Sequence, residues 1–472
     1  MESFRSTSPA DPNDEIGVFP VADAAAVDEA VEEARRAFPA WRDAGFEARA
    51  EVVRKFAAIA TARKDELTAL ISREVGKALW DARAEAGLLA PKVNVTLEEG
   101  MQYVAPIEAA PGQRATYGAR GVLAVYGPFN FPAHLPNGHI VPALVTGNTV
   151  VFKPSELSPA VGLWMWKRWQ EAGLPEGVLQ LVQGSAKTGR ALAAHDAIDG
   201  ILFTGSYATG RALREATLDQ PWKILALELG GNNPMLVCAD ADLDLAVAEA
   251  AVSIAVTTGQ RCTCARRLFV ERSVEDEFRE KLVRVLSRLA IGPPDQDGVF
   301  MGPLASHAAH DRLVRARALA SDAGGTRIAL PSPALPSPYT GVGLVRFDDT
   351  TQDHLYQREE IFGPEAQLYP VEDLEAAIAA ANDSDYGLAA SVMTRDRTQY
   401  EHCIGRIRTG LLNWNKGTTG ASGKLPFGGI GKSGNDRPAG VTATVYCTVA
   451  QAHLESEAGF DPETLPPGVP HP

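Results

Sequence analysis

The sequence predicts an α/β protein made of two consecutive domains, each folded around a parallel sheet. Two observations lead there: the chain has 472 residues, and short apolar segments alternate with amphipathic ones along most of it. One hydrophobic core rarely serves a chain of this length, so two or three domains are expected. Alternating strands and helices are typical of βαβ units, whose strands join one parallel sheet.

The first series of elements runs from residue 23 to about residue 203. A helix is expected over 23–38, because Asp23 can cap it and the apolar residues that follow recur at helical spacing. More helix is expected over 47–86. Strands are then expected over 121–126, 149–152, 178–182 and 200–203, with helices over 159–172 and 188–194.

The second series follows the same alternation. Strands are expected over 234–237, 267–271 and 388–393, and helices over 244–255, 274–289 and 372–382. The intervening stretch 293–339 is rich in proline and glycine and is expected to be loop. The last dozen residues contain five prolines, which predicts an extended tail over 456–472.

The composition argues against several classes of protein. The formal net charge of −14 repels phosphate backbones and anionic lipid surfaces, so neither nucleic acid nor membrane is expected as a partner. No signal-peptide core and no apolar run of about 18 residues is present, so no membrane span is expected. The five cysteines are few and odd in number, which favours free thiols in a reducing compartment. We therefore expect a cytoplasmic protein.

Two cysteines lie between an expected helix and an expected strand, in the segment Gly259-Gln260-Arg261-Cys262-Thr263-Cys264. They can be ordinary cysteines, since free cysteine is among the most buried residue types. No metal is expected, because no matching Cys or His pair with ligand spacing lies nearby. The third interpretation makes Cys262 a nucleophile, which then needs a base, a group that stabilises negative charge, and a cofactor.

Two other residues are candidates for those roles. Glu228 ends an apolar stretch and precedes two glycines, and burial there would raise its pKa toward the range of a general base. A glutamate in a salt bridge at a domain edge fits the same pattern. Asn130 lies between aromatic residues and prolines, where its amide could donate to an oxyanion or simply shape a turn.

Two loops are candidates for a cofactor site. The segment from Gly205 to Gly210 follows an expected strand and opens a helix, so its backbone N–H groups suit a pyrophosphate. Its spacing is not G-x-G-x-x-G, so the dinucleotide fingerprint is absent. Lys153 and Glu156 follow another expected strand, where ligands bind in parallel sheets, and could reach ribose hydroxyls. A solvated loop is the alternative.

Seven motifs, in this order, resemble the aldehyde dehydrogenase family across nearly the whole chain: GPFNFP, FKPSE, FTGS, LELGGNNP, GQRC, EEIFGP and PFGGIGKSG. The resemblance implies an NAD-binding domain, a catalytic domain and a small bridging unit that pairs subunits. The implied boundaries are 1–100 and 120–230 for the NAD-binding domain, 231–434 for the catalytic domain, and 101–119 with 435–455 for the bridging unit.

The resemblance also implies a role for each matched residue. Cys262 would attack the aldehyde, Glu228 would activate water, and Asn130 with the backbone N–H of Cys262 would hold the oxyanion. The cofactor NAD would lie against Lys153 and Glu156 at the adenine ribose, Gly205, Ser206, Tyr207, Ala208, Thr209 and Gly210 at the pyrophosphate, and Glu360 and Phe362 at the nicotinamide ribose and ring.

A narrower resemblance, in HLPNGHIVPA and GQRCTCARR, is to the branch of the family that oxidises N-succinylglutamate 5-semialdehyde. Another semialdehyde or an aliphatic aldehyde is the alternative substrate. An inactive binding or structural homologue is the alternative of another class. A substrate with carboxylates needs cationic or amide partners, and the candidates, each of which could instead be structural, are His134, Asn137, Arg261 and Arg437.

Three further expectations concern the cofactor, the assembly and the start of the chain. Glu156 favours NAD over NADP, because a carboxylate near the ribose repels a 2′-phosphate. The segment 446–449 could supply an edge strand to a partner sheet, so a homodimer or a dimer of dimers is expected. In the family pattern a strand pair with Gly-x-Trp usually precedes the position of SPADPNDE, so that pair is expected to be missing or rebuilt.

Overall fold

A computed structural model describes residues 2–330, 334–457, 459 and 461–470 of the chain. The α/β prediction is confirmed, since two largely parallel sheets carry helices on both faces. The strands are β1 Ser3–Thr7, β2 Glu15–Pro20, β3 Ile107–Ala110, β4 Gln113–Ala119, β5 Val122–Tyr126, β6 Thr149–Lys153, β7 Leu179–Leu181, β8 Gly200–Thr204, β9 Ile224–Glu228, β10 Asn233–Val237, β11 Ala265–Glu271, β12 Thr326–Ala329, β13 Gly343–Arg346, β14 Glu365–Val371, β15 Tyr386–Gly387, β16 Ala389–Met393, β17 Leu411–Trp414, β18 Pro426–Phe427, β19 Ile430–Gly431, β20 Ala439–Gly440 and β21 Thr448–Leu454.

The α-helices connect these strands and cover the sheets. They are α1 Ala24–Asp43, α2 Phe46–Ala62, α3 Lys64–Val75, α4 Leu79–Ala86, α5 Leu89–Glu98, α6 His134–Val145, α7 Pro159–Glu171, α8 Ala186–Ala194, α9 Tyr207–Ala216, α10 Leu243–Ala255, α11 Arg272–Leu286, α12 His307–Ala318, α13 Leu355–Arg358, α14 Leu374–Asn382, α15 Arg397–Cys403 and α16 Ala443–Tyr446. Among the described residues no helix combines the length and apolar character needed to cross a bilayer.

The first sheet is parallel throughout and has the strand order β7-β6-β5-β8-β9. Its central strands are buried along their whole length, as expected for strands covered on both faces. Apolar side chains of α2, α3, α6 and α7 pack on one face, and those of α1 and α8 on the other. Because the strands are parallel, the carboxyl ends of β6, β8 and β9 share one edge, which brings Lys153, Gly205 and Glu228 to the same side.

The second sheet has the order β12-β13-β14-β11-β10-β16-β17 and is parallel except for the pair β12–β13. Helices α10 and α11 cover one face, and α12 and α14 cover the other. The segment that carries Cys262 connects α10 to β11, and Asn233 at the start of β10 is in register with Ala265 at the start of β11. Cys262 therefore lies just before the amino end of β11, next to the start of β10.

Smaller sheets lie outside these two. An antiparallel sheet has the order β21-β4-β3, with β21 at an edge. At the start of the chain β1 and β2 form an antiparallel pair. The sequence did not predict strands over 3–7 and 15–20; of the two expectations for the first strand pair, missing or rebuilt, a pair is present but lacks the Gly-x-Trp of the family pattern.

Most of the elements predicted in the two series are confirmed, with ends shifted by a few residues, and the helix predicted over 47–86 is the three helices α2, α3 and α4. The loop prediction for 293–339 is wrong where α12 and β12 lie. Ser306 caps α12 by accepting the N–H of Ala309. A serine in that position favours the start of a helix, but the loop prediction rested on the prolines and glycines around it. Residues 331–333 of that stretch, and residues 458, 460, 471 and 472 of the predicted tail, lie outside the described residues.

Candidate active site

The segment that carries Cys262, here called the nucleophile loop (residues 256–264), has an uncommon backbone conformation. It begins after α10 as a 3-10 turn in which Thr257 and Thr258 both have φ of 55°. The left-handed region is rare for β-branched residues and costs about 1–3 kcal/mol for each residue held there. Neighbouring groups must therefore hold this backbone in place.

Arg266 joins the nucleophile loop to the loop that precedes β14. Its guanidinium donates to the carbonyl oxygens of Gly259 and Gly363. A Cβ on Gly259, whose φ is 65°, would lie 2.2 Å from the carbonyl carbon of Gly363, so only glycine fits. The second loop also carries Phe362, whose ring packs edge-on against Phe129 with centroids 5.9 Å apart.

Two side-chain amides fix the backbone around Cys262. The Nδ2 of Asn130 donates to the carbonyl of Gln260 at 2.8 Å. The Nδ2 of Asn233 donates to the carbonyl of Cys262 at 2.7 Å and to that of Cys264 at 2.8 Å. The predicted oxyanion residue thus lies against the nucleophile loop, and the loop is held from both α/β halves of the chain.

Cys262 is the one partly accessible cysteine among five free thiols. The protein around the thiol raises its pKa above the ordinary value by desolvation. The negative charges of Glu360 and Glu228 raise that pKa further, whereas the charge of Arg261 lowers it. This setting favours the neutral thiol of Cys262 at neutral pH.

Glu228 ends β9, an edge strand, and its side chain is buried. Burial raises the pKa of Glu228 well above its ordinary value, and the backbone N–H of Ala439 offsets part of that effect. Its Oε2 has no hydrogen-bond partner among the described residues. The interpretation of Glu228 as one half of a structural salt bridge is therefore wrong, and an unpartnered carboxyl oxygen remains beside the thiol.

Glu360 lies against the two glycines that follow Glu228 in the chain. Its Oε1 accepts the N–H of Gly231 at 3.1 Å, and a Cβ on Gly230 would lie 1.9 Å from its Oε2. Burial raises the pKa of Glu360 to about 7, although the charge of Arg266 opposes that rise. The glycine pair therefore makes room for a second carboxyl group near Cys262.

Lys153 and Glu156 lie at and after the end of β6. Lys153 is buried and its Nζ donates to the carbonyl of Pro154 at 3.2 Å, whereas Glu156 is exposed in the following turn. Burial lowers the pKa of Lys153, and the charge of Glu156 partly restores it. An ammonium group has three N–H donors, and this one uses one of them within the described residues.

The segment from Gly205 to Gly210 forms the start of α9. Ser206 caps the helix by accepting the N–H of Thr209 at 3.2 Å. Tyr207 and Ala208 begin the first turn, where backbone N–H groups have no partner within the helix. The predicted pyrophosphate segment is thus a capped helix N-terminus at the carboxyl edge of the first sheet.

The proposed substrate residue Arg261 has protein partners. Its Nη2 donates to Asp81 at 2.7 Å, its Nε donates to Thr257 at 2.8 Å, and the guanidinium lies 4.8 Å from the ring centroid of Phe131. The structure places it beside Cys262 but already ion-paired. The sequence offered no sign of this pairing, because Asp81 is 180 residues away in the chain.

His134 and Asn137 lie on the first turns of α6. Burial and the charges of Lys92 and Lys77 lower the pKa of His134 to about 3, so it cannot contribute a positive charge at neutral pH. The Nδ2 of Asn137 donates to the carbonyl of Leu89 at 3.2 Å. The Nδ1 of His134 and the Oδ1 of Asn137 have no partner among the described residues.

Arg437 lies in a pocket of about 510 Å³ at the start of β9. Its guanidinium donates to the carbonyl of Asp436. The pocket has a basic lining, formed by Arg120, Arg214, Pro221, Trp222, Lys223, Ile224, Leu225, Leu227, Asn435 and Arg437. The structure thus groups Arg437 with these residues and not with the nucleophile loop.

Sequence reasoning missed several residues that shape this site. Asn233 lies within the motif LELGGNNP but was given no role, and Arg266 with Arg267 interrupts an otherwise apolar strand. Buried charges inside a strand are uncommon, and that signal could have found Arg266. Within the described residues no group of His, Cys, Asp and Glu side chains is arranged to hold a metal ion.

The chain is similar to known proteins over nearly its whole length. The model of the aldehyde dehydrogenase family matches residues 1–452. A Chromobacterium violaceum protein named N-succinylglutamate 5-semialdehyde dehydrogenase is 45% identical over 475 aligned positions, which cover 99% of this chain and 96% of that protein.

Solved structures give the same result for the fold. An NADP dependent enzyme from E. coli has 32% identity and a TM-score of 0.90, with 96% of this chain and 94% of that chain covered. A P. syringae indole-3-acetaldehyde dehydrogenase mutant in complex with NAD+ and IAA has 30% identity and a TM-score of 0.91, with 96% and 92% covered. This chain belongs to the aldehyde dehydrogenase family.

Proposed function

We propose that this enzyme oxidises N-succinylglutamate 5-semialdehyde to N-succinylglutamate, with NAD as the hydride acceptor and Cys262 as the nucleophile. The observation that carries the proposal is the partly accessible Cys262, held by Asn233 and next to Glu228 and Asn130. The substrate is taken from the relative that is 45% identical over 99% of this chain and bears that substrate in its name.

The chemistry assigned to these side chains has two halves. In the first, Cys262 loses its proton to solvent and its sulfur bonds to the aldehyde carbon, which gives a thiohemiacetal oxyanion; that carbon becomes the thioester carbon when it gives up a hydride. The amide of Asn130 and the backbone N–H of Cys262 would stabilise that oxyanion. In the second half, Glu228 removes a proton from water, which attacks the thioester and releases the acid and the Cys262 thiolate.

The residues at the carboxyl edge of the first sheet fit a dinucleotide. The capped N-terminus of α9 suits the pyrophosphate, and the buried Nζ of Lys153 has N–H donors left for ribose hydroxyls. Glu360 would meet the nicotinamide ribose, and Phe362 the ring. Bound NAD supplies the acceptor that takes the hydride from the thiohemiacetal carbon.

We propose NAD rather than NADP as the preferred cofactor. The relatives include an NADP dependent enzyme and an enzyme with NAD+ bound, so the choice depends on residues of this chain. Glu156 is exposed two residues beyond Pro154, where its charge would repel a 2′-phosphate. A higher kcat/KM with NADP than with NAD would contradict this choice.

The test of the substrate is a steady-state comparison of three aldehydes. N-succinylglutamate 5-semialdehyde, succinate semialdehyde and glutarate semialdehyde differ in length and in the number of carboxylates. We expect the first to have the highest kcat/KM. If it has no advantage, the assignment of N-succinylglutamate 5-semialdehyde as the substrate fails. Oxidation of any of the three aldehydes still supports an aldehyde dehydrogenase. If none is oxidised, an inactive homologue becomes the better description.

The domain roles, the assembly and the location complete the proposal. We assign 1–100 and 120–230 to the NAD-binding domain, 231–434 to the catalytic domain, and 101–119 with 435–455 to the bridging unit. The exposed edge strand β21 supports a homodimer or a dimer of dimers. The five free thiols suit the reducing cytoplasm.

A further inference from the structure

Three charged residues recur every four positions at helix α4 and are all buried. Lys77 precedes the helix, and Asp81 and Glu85 lie on it; their exposed fractions are 2%, 1% and 1%. Residues four apart lie on one side of a helix. We call these three residues the buried charge ladder. Burying charges is costly unless they are paired and hydrogen-bonded, so their partners show what the ladder does.

Asp81 binds the nucleophile loop with both carboxylate oxygens. Its Oδ2 accepts the hydroxyl of Thr257 at 2.6 Å, and its Oδ1 accepts Nη2 of Arg261 at 2.7 Å. The same hydroxyl accepts Nε of Arg261 at 2.8 Å, which closes a ring of three hydrogen bonds. Thr257 is one of the two threonines with left-handed backbone. Asp81 therefore holds the strained end of the loop on which Cys262 lies.

Asp81 is charged in this setting. Burial raises its pKa, but the charges of Lys77 and Arg261 outweigh that effect, and the pKa falls below its ordinary value. Hydrogen bonds to an ionised acceptor are roughly twice as strong as neutral ones. The ring around Thr257 is therefore an ionic clamp and not a set of weak polar contacts.

Glu85 binds the segment that follows Asn130. Its Oε1 accepts the backbone N–H groups of Ala133 at 2.9 Å and His134 at 3.1 Å, where α6 begins. Its Oε2 accepts Nζ of Lys77 at 2.7 Å. That same ammonium lies 3.6 Å from the ring centroid of Phe131. Glu85 and Lys77 thus fix residues 131–134, which follow Asn130 in the chain.

We propose that Asp81 is the positioning residue of the nucleophile loop, and that the buried charge ladder sets the placement of Cys262 relative to Asn130. Asp81, in the middle of the ladder, holds the loop before and beside the nucleophile, and Glu85, at its end, holds the start of α6. The inference rests on the proposed role of Cys262. It also assigns Arg261 to the clamp rather than to the substrate.

The charges near Cys262 give this proposal a distinctive readout. Glu360, Glu228 and the Cys264 thiol raise the pKa of Cys262, and Arg261 lowers it. Without Asp81, the guanidinium of Arg261 loses its anchor and moves from its place beside the thiol. The pKa of Cys262 should then rise, which a general loss of stability would not cause.

The experiment compares Asp81→Asn with the parent enzyme in the rate of Cys262 alkylation by iodoacetamide from pH 6 to pH 10, with the site of labelling determined by mass spectrometry. We expect the rate at pH 8 to fall about tenfold, which corresponds to about one pKa unit for the thiolate fraction, and the profile to move to higher pH. The kcat should fall, whereas the KM for NAD should stay within about twofold.

Arg83→Gln is the matched control, because it removes one charge from the exposed side of the same helix. Its alkylation profile and its kcat should match those of the parent enzyme. Arg261→Met should reproduce the alkylation shift, and the double variant Asp81→Asn/Arg261→Met should add little to it. A profile of Asp81→Asn that superimposes on that of Arg83→Gln, with only the thermal midpoint lowered, would overturn the proposal.

A second variant tests the clamp in case Asp81→Asn does not fold. Thr257→Val keeps both charges and the Arg261–Asp81 ion pair but removes the two hydrogen bonds that the Thr257 hydroxyl makes in the ring, so a smaller shift in the same direction is expected, and no shift would count against the clamp. Alkylation does not use an aldehyde. An enzyme that alkylates as expected but oxidises no semialdehyde would therefore refute the proposed substrate and leave the role of Asp81 supported.

Discussion

Cys262 and Glu228 both lie in surroundings that favour their neutral forms, since desolvation is the first cause of the raised pKa at each. The two proton losses that the proposed chemistry needs are therefore both unfavourable in the resting site at neutral pH. A negative charge on Glu228 also raises the pKa of the Cys262 thiol. Activity should rise with pH over the neutral range.

Replacement of the proposed base separates the two halves of the reaction. In Glu228→Gln the carboxyl is replaced by an amide of the same shape, so acylation of Cys262 can proceed but water is not activated. We expect a single burst of NADH of about one equivalent per site, followed by turnover at least about 100-fold slower. Stopped-flow absorbance measures it, with Cys262→Ser as a control that lacks the burst; full steady-state turnover in Glu228→Gln would refute the assigned role.

Glu360 predicts a dependence of stability on pH. Its pKa in the folded protein is about 7, raised from 4.5, so its contribution to stability is complete below pH 4.5 and is lost as the pH rises through 7. In Glu360→Gln this loss is absent. The thermal midpoint of Glu360→Gln minus that of the parent should therefore increase between pH 5 and pH 8.5, and a constant difference would contradict the raised pKa.

The same residue should affect the thiol. The charge of Glu360 is the largest electrostatic contribution that raises the pKa of Cys262. Its removal should move the iodoacetamide profile of Cys262 to lower pH, opposite to the shift expected for Asp81→Asn. The pair of variants thus provides an internal check on the sign of both effects.

Among the helices, α7 depends on a residue from another element. Its N-cap Ser158 makes no capping hydrogen bond, and the carboxyl group of Glu74 at the end of α3 instead accepts the N–H groups of Ala160 and Val161, both at 2.8 Å. The hydroxyl of Ser6 on β1 donates to the same group at 2.9 Å. Three elements therefore meet at one buried carboxyl.

Glu74→Ala should destabilise the protein by about 3 kcal/mol, since three buried donors lose their acceptor at about 1 kcal/mol or more each. The measurement is chemical denaturation followed by tryptophan fluorescence. Glu171→Ala is the control: it removes a half-exposed carboxylate at the other end of α7 that pairs with Arg63 and Arg168, and its cost should stay within about 1 kcal/mol. Equal losses in both variants would show that Glu74 is not a cap.

Local sequence patterns were sufficient for the elements with simple chemistry. The apolar runs of β5 and β6 end at Gly-Pro or Lys-Pro and were predicted, and Asp23 caps α1 as expected, with its carboxylate accepting the N–H of Ala26. Helix α6 was missed because Pro136 and Pro142 lie within it, and local rules treat proline as a breaker. In α6 the surrounding core, with Ile140 and Leu144 fully buried, outweighs that preference.

The residues of the candidate site also fall into two groups, those that the sequence predicted and those that it did not. Cys262, Glu228 and Asn130 were predicted because motifs of a few residues carry them. Asp81 and Arg266 were not, because their hydrogen bonds join segments that are distant in the chain, and no local pattern records such pairs. Arg261 was predicted as a candidate partner of the substrate carboxylates, but nothing near it in the sequence could reveal that Asp81 on α4 already provides its counter-ion.

At the scale of the whole molecule, the exposed sheet edge at β21 predicts assembly. β21 pairs with β4 on one side only, and Val449 on it is 47% exposed. Val449→Lys should weaken a dimer formed through this edge and shift the mass measured by light scattering toward that of one chain. Val18→Lys is the matched control, since Val18 lies on β2 with 54% exposure. An unchanged mass for Val449→Lys would place the contact elsewhere.

The hydrogen bonds of the nucleophile loop come from Asn130 and Asp81, in the α/β half that carries the first sheet, and from Asn233 and Arg266, in the half that carries the second sheet. Neither half alone can complete this loop. During synthesis the first half can fold as a unit before the second half exists, but the reactive geometry of Cys262 must wait for both. The arrangement of Cys262 with Asn130 and Asp81 is therefore a product of the whole fold, formed only once both halves have packed together.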